Sequence, residues 1–314
     1  MTVAAILLVY AAGAGTLGAR MLGRARWPAR APLLAIITYL AAAWSVVAAV
    51  GLAGLTLAVH ATALGGGLSH LIGACVLRLR DAYATPGGAT AAGLGLTLAA
   101  AVLARTALTA VTHLRAVRQH ALRHAQTARL VGRPDPDLGV TLVDHAQPAA
   151  YCVAGPYPTV ILTTAALQTL DPGQVGAVLA HERAHLASHH HRLLAIARIG
   201  RRVLPFLPLM RDADTQITRL VEMHADDAAT AGRDAGPLAT ALVVLAAAGP
   251  APGLAAAATD AVQRIQRLLR PAEPLSRVRR QLLRAGAAAL ALTPVLLALT
   301  PAIVALALGR VPAA

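Results

Sequence analysis

The sequence predicts a mainly α, polytopic membrane protein in which one long extramembrane insert contains a small β-sheet. Three observations carry that prediction: apolar runs long enough to cross a bilayer, arginine clusters confined to alternate connecting segments, and a central region that breaks into short strands followed by capped helices. The composition agrees. The chain has 314 residues, 57% hydrophobic and only 13% charged, against roughly a quarter charged in an average soluble domain, and its mean hydropathy is +0.61. Those values exclude an ordinary soluble enzyme. The formal net charge is +14 and every basic residue is Arg. A nucleic-acid footprint would set such charge among aromatics that stack on bases; aromatics are 3% of the chain, so direct nucleic-acid binding is not expected. Cys75 and Cys152 are too few and too isolated for a disulfide framework or a Cys-rich zinc module.

About twenty apolar residues cross a roughly 30 Å hydrocarbon core. Four runs are candidates: 2–18, 33–59, 89–112 and 287–308. The first lacks the basic start of a cleaved signal peptide and is followed by Arg20, Arg24, Arg26 and Arg30, so it is expected to remain as an anchor. Arg105 interrupts the third and is expected to snorkel near the cytoplasmic end or to face other helices. Pro294 and Pro301 lie in the fourth, where a membrane helix tolerates them as kinks. The apolar stretch 64–77 is too short to cross and carries Gly65, Gly66 and Gly67, which fits an interfacial or re-entrant piece.

Arginine-rich short loops stay on the cytoplasmic side. Arg20 to Arg30, the cluster Arg115, Arg118, Arg123, Arg129 and Arg133, and the cluster Arg277, Arg279, Arg280 and Arg284 all demand the same side. The expected organisation is therefore three spans with their loops in 1–112, a cytoplasmic domain in 113–286, and a fourth span with a short tail in 287–314, with both termini outside. The expected location is the cell's inner (plasma) membrane, with the insert on the cytoplasmic side.

Within the insert, 140–143 and 159–162 are short runs rich in β-branched residues, separated by Pro148, Gly155, Pro156 and Pro158. A helix is expected from Asp171 to about Arg198, opened by an acidic N-cap, Pro172 at the first helical position and Gln174 completing a capping box. A second is expected from Asp212 or Asp214 to Gly232. The Ala-rich tract 239–258, broken by Pro250 and Pro252, reads as a buried helix pair or a membrane-surface hairpin.

His181, Glu182, Arg183, Ala184 and His185 spell H-E-x-x-H inside the first helix. Four residues is about one turn, so both imidazoles leave one face and can share a tetrahedral Zn²⁺, with Glu182 beside the metal. Zinc acidifies a water toward a pKa of about 7, and the adjacent carboxylate takes its proton as it attacks a peptide carbonyl, which makes Glu182 the base. A tight catalytic site needs a third ligand, for which Glu222 is the best candidate. Asp226, one turn on, is placed to accept from the free nitrogen of a ligand His, and Arg219 to brace either acid. His224 and Asp227 fall on another part of that helix. His189 lies four beyond His185, but His189, His190 and His191 read as an exposed helix end, and His113, His120 and His124 as a polar helix leaving the membrane.

With these residues the chain resembles the BlaR/MecR-like integral-membrane zinc metallopeptidases, particularly short members without an extracellular sensor domain. The likeness covers most of 140–280. The pattern R-x-x-E-x-x-A-D, reproduced by Arg219, Glu222, Ala225 and Asp226, is also similar to that of the broader HtpX-like membrane proteases. The resemblance implies one zinc ion per chain with His181, His185 and Glu222 as ligands, Glu182 as base and Asp226 behind a ligand His. It implies a gluzincin-type domain whose small sheet packs on the zinc helix, with an edge strand near Tyr151, Cys152 and Val153 that holds a protein or peptide substrate by β-augmentation. The implied function is a membrane-anchored endopeptidase acting at the cytoplasmic face on a protein such as a transcriptional repressor. Alternatives are a membrane-protein quality-control protease and a non-catalytic sensor or scaffold with a structural metal. A transporter has little support, because no acidic residue within the spans pairs with Arg105.

Overall fold

The computed structural model of the chain describes residues 2–58, 88–248, 254–270 and 273–307. The stretch 64–77 and Cys75, read above from sequence alone, lie outside the described residues. Four helices in the rest are long and apolar enough to cross a membrane. Helix α1 (Thr2–Gly13) passes through a π-turn at Ala14–Gly18 into α2 (Ala19–Arg24), so the first helical run continues past Gly18 to the leading arginines. Helix α3 covers Pro32–Ala58. Helix α4 is a single rod, Gly88–Val131, of 44 residues, which at 1.5 Å per residue is about 66 Å long and roughly twice the hydrocarbon thickness. The third span and the polar His-bearing segment after it are thus one helix, with no joint near residue 112.

A four-stranded sheet follows, made of β1 (Gly132–Asp135), β2 (Val140–Val143), β3 (Ala150–Val153) and β4 (Thr159–Thr163) in the order β1-β2-β4-β3. Pairing is antiparallel for β1–β2 and β3–β4 and parallel for β2–β4. The period of two sorts β4 between two layers: Val160 and Leu162 join the core under the insert's helices, whereas Ile161 joins Val153, Ala125 and Ala128 against α4. Strand β1 was not expected, since Gly132, Arg133 and Pro134 have poor strand propensity. It forms because α4 delivers the chain directly alongside β2, with Gly132 opposite Val143.

After the short α5 (Thr164–Thr169) come α6 (Pro172–Ala187), α7 (His190–Val203), α8 (Pro208–Ala229), α9 (Gly236–Ala248), α10 (Leu254–Leu269) and α11 (Arg277–Ala307). The expected Asp171–Arg198 helix is therefore two helices. Ser188 closes the first and His189 sits at φ +50°, a left-handed residue that redirects the chain. Of the tract 239–258, the described parts form the helix pair α9 and α10, with Leu238, Ala239 and Ala241 buried in the core of the insert together with Val175, Val178 and Leu179 of α6. The last span starts at Arg277, upstream of the apolar run, so its arginine cluster is helical too.

Helix α3 is the hub of the candidate spans, packing on α1, α4 and α11 and also on α8. Tyr10 Oη and Ser45 Oγ, 2.8 Å apart, join α1 to α3. Glycines let α3 and α4 touch by their backbones: a Cβ on Gly95 would lie 2.5 Å from the Gly54 carbonyl oxygen and 2.7 Å from Leu57 Cβ. Arg105 faces another helix, donating from Nε and an Nη to the carbonyls of Val203 and Arg202 at 2.8 Å each. These are orphan carbonyls at the end of α7, where a cation also suits the helix dipole.

Replacement Gly95→Leu is expected to drive α3 and α4 apart and to destabilise the protein by about 1–3 kcal/mol or more, seen as a lower thermal midpoint in detergent. Gly93→Ala, where an added Cβ meets nothing within 4 Å, is expected to leave the midpoint nearly unchanged.

Candidate metal centre

Helix α6 starts where its sequence says it should: Gln174 N–H donates to Asp171 Oδ1 at 2.8 Å and Asp171 N–H to Gln174 Oε1 at 3.0 Å, a reciprocal cap. Val175, Val178 and Leu179 bury its apolar side. On the adjoining face, the Nε2 atoms of His181 and His185 lie 3.1 Å apart. Glu222 of α8 reaches the same point, with Oε2 3.5 Å from His181 Nε2 and Oε1 3.5 Å from His185 Nε2. Each residue thus offers one donor atom to a group in which all lie within 4.8 Å of one another. Ligands at 2.0–2.1 Å from a tetrahedral zinc stand about 3.3 Å apart. The donor types and the spacing both fit that ion.

The opposite nitrogens are turned to the protein. His181 Nδ1 lies 3.0 Å from Asp226 Oδ1, though its N–H is not well aligned with the acceptor. Asp226 is 1% exposed and is gripped by Arg264 of α10, whose Nε and Nη2 donate to its two oxygens at 2.8 and 2.7 Å. The other Nη of Arg264 reaches Glu222 Oε2 at 3.0 Å. Burial would raise the pKa of both acids, but Arg264 and His181 hold Asp226 below its ordinary value, and His181, His185 and Arg264 do the same for Glu222. Burial would likewise lower His181; the carboxylates of Asp226 and Glu222 reverse that and push it up to about 9. Arg219, expected to brace these acids, does not. Its Nε pairs with Asp260 at 2.8 Å and an Nη donates to Gln263 at 2.6 Å, because α10 runs past the outer side of α8 and offers acceptors there.

The break at His189 corrects a further expectation. His189 is exposed, whereas His190 is 1% exposed and folded back to the site. Its Nδ1 is 2.9 Å from His185 Nδ1 and its Nε2 is 2.9 Å from His224 Nδ1. Burial first, then the adjacent His185 and His224 imidazoles, depress His190 to about 3, so it is neutral and able to accept. If His185 Nε2 faces the metal, its Nδ1–H donates to His190, and His190 Nε2–H donates to His224; these tautomers follow from the network. His224, read from sequence as pointing elsewhere, is thereby joined to the site.

Glu182 is half-buried, and burial raises its carboxyl above the ordinary range despite the neighbouring His181 and His185. It faces Cys152 of β3, whose thiol is pushed up to about 12 by burial and then by Glu182. Strand β3 pairs with β4 on one side, and among the described residues no strand pairs with its other side. Tyr151 is 37% exposed, and Val153 is buried against α4. Cys152 is thus the edge-strand side chain nearest the site. The missed residues are Arg264 and His190. The first is far away in sequence among many arginines, and the second lies inside a His run that helical periodicity directs outward.

Residues 114–266 match the family model Peptidase family M48, a little under half of the chain. The matched segment contains His181, Glu182, His185, Glu222, Asp226 and Arg264, and it supports a metallopeptidase of a zinc-dependent class. No curated protein and no solved structure gives a significant match.

Arg264→Met is expected to strand Asp226 as a buried, unpaired carboxylate and to cost about 3–5 kcal/mol, measured by denaturant unfolding in detergent. An acid held below its ordinary pKa adds stability that is present above about pH 4 and lost as pH falls further. In the variant Asp226 loses that support, so acid unfolding is expected to begin at higher pH than in the wild type.

Proposed function

We propose that the chain is a membrane-anchored zinc endopeptidase that hydrolyses a peptide bond of a protein substrate at the cytoplasmic face of the inner membrane. The observation that carries this reading is the spacing of His181 Nε2, His185 Nε2 and Glu222 at 3.1–3.5 Å, with the Glu182 carboxyl on the same helix and, beside it, a strand edge unpaired among the described residues. The two His and Glu222 would hold zinc, which supplies acidification of water and polarisation of the scissile carbonyl. Asp226 and His190 keep the ligand imidazoles in the tautomer that leaves Nε2 free. Arg264 keeps Glu222 ionised. Glu182, made more basic by its half-buried position, takes a proton from the attacking water as the C–O bond forms, and delivers it to the leaving amine as the C–N bond breaks. An extended substrate adding to β3 along Tyr151, Cys152 and Val153 would pass the Glu182 carboxyl, because Cys152 already touches it.

The arginine clusters that flank the candidate spans support a cytoplasmic site, by the positive-inside rule. The likeness of 140–280 to BlaR/MecR-like peptidases supports a cytoplasmic repressor as the substrate.

Purified full chain is expected to hold one zinc per chain. Glu182→Gln should keep that zinc and abolish cleavage, whereas Glu222→Ala should lose both; a Glu182→Gln protein that still cleaves would exclude the assigned base. Because His181 must be unprotonated to donate Nε2 and is otherwise held up to about 9, zinc uptake near neutral pH is expected to release about one proton and zinc affinity to rise toward pH 9. Titration calorimetry in buffers of different ionisation enthalpy reads that proton directly.

A further inference from the structure

We infer that the protein carries a specific site for one anionic phospholipid of the bilayer, between the start of α3 and the first half of α11. A cavity of about 480 Å³ lies there, lined also by His224 and Asp227 of α8. Arg30, Arg280 and Arg284 line it. Among the described residues none of these three guanidiniums has an ion-pair partner, and the one carboxylate in the lining, Asp227, is taken by Arg267 at 2.7 Å. The three guanidiniums are exposed and line one space, where together they offer several N–H donors that suit one anion with several acceptor oxygens.

The rest of the lining identifies that anion. Arg30 stands immediately before α3, and Arg280 and Arg284 are one turn apart on α11 ahead of its apolar portion. From the arginines the wall turns apolar, through Leu34 and Ile37 of α3 and Ala288 of α11. The site is thus cationic at one end and hydrocarbon-like at the other, at the level where the two candidate spans enter the membrane. A soluble phosphate would use the arginines and leave the apolar wall unused. A phospholipid phosphate uses both ends, as basic pockets between membrane helices on the cytoplasmic side do for anionic headgroups. His224 also lines the cavity, and its Nδ1 lies 2.9 Å from Nε2 of His190, whose Nδ1 in turn lies 2.9 Å from His185 Nδ1. The occupant therefore contacts the outer end of the imidazole chain that leads to the candidate metal centre. This assignment rests on reading α3 and α11 as membrane spans, as the proposed function does, but not on the zinc chemistry.

The test uses the full chain in phosphatidylcholine nanodiscs with and without phosphatidylglycerol, with bound lipid counted by native mass spectrometry. The wild type is expected to retain about one phosphatidylglycerol per chain, and the variant Arg30→Gln/Arg280→Gln/Arg284→Gln to bind it at least about tenfold more weakly. The control Arg24→Gln/Arg277→Gln/Arg279→Gln removes equal charge outside the cavity and should bind as the wild type does. Ala288→Trp, which narrows the apolar end without altering charge, should also lose the lipid, and it keeps the test decisive if the triple variant unfolds. Equal loss in the control would reduce the effect to diffuse attraction and overturn the site. So would unchanged binding in both cavity variants, or displacement of the lipid by millimolar inorganic phosphate. Zinc content is read in the same samples: wild type that binds the lipid but no zinc upholds the lipid site and defeats only the metallopeptidase reading.

Discussion

A carboxylate enclosed as completely as Asp226 must be paired, and its pairing organises the insert. Both oxygens are held by the Arg264 guanidinium, and Oδ1 also faces His181. One side chain thereby ties α6, α8 and α10 together at a single point. The bidentate geometry suits Arg, whose planar fork satisfies two oxygens at once and whose charge cannot be titrated away in this range. The third contact of the same guanidinium, to Glu222, places a second ionised acid beside two imidazole nitrogens. The candidate metal centre is the outward end of this buried network.

The candidate membrane spans are part of the same arrangement. Helix α8 carries Glu222 on one side and on the other buries Leu209, Met210, Ile217 and Val221 in a core shared with α1 and α3. A shift of α3 would therefore move the wall of the site. The contact at Gly54 and Gly95 and the Arg105 cap on α7 limit such shifts from the side of α4. The insert and the bundle are coupled because packed interfaces of this kind deform in steps and not continuously.

The left-handed turn at His189 has a corresponding effect. A continuous helix would have carried His190 away from His185. The break returns it to the site as a neutral acceptor, and His224 completes a line of imidazoles from the candidate metal centre to the cavity between α3 and α11. The Nδ1 atoms of the two candidate ligands, His181 and His185, face different groups. The Asp226 carboxylate lies 3.0 Å from His181 Nδ1 and the His190 imidazole 2.9 Å from His185 Nδ1.

Local signals made much of this legible. The capping box at Asp171, the one-turn spacing of His181 and His185, and the turn from Glu222 to Asp226 are properties of single helices, so composition and period alone place those side chains on common faces. The apolar runs marked the candidate spans for the same reason, since bilayer thickness acts on each helix separately. The partner of Asp226 was not legible: Arg219 is near in sequence and on the same helix, but Arg264 arrives from α10, and among 28 basic residues, all of them Arg, nothing local distinguishes it. The strand β1, the break at His189 and the cavity arginines were hidden likewise, because each depends on where a distant element lies. Sequence determined which faces exist; the tertiary structure decided which faces meet, since pairing a buried charge or extending a sheet edge is settled by proximity in space and not by spacing along the chain.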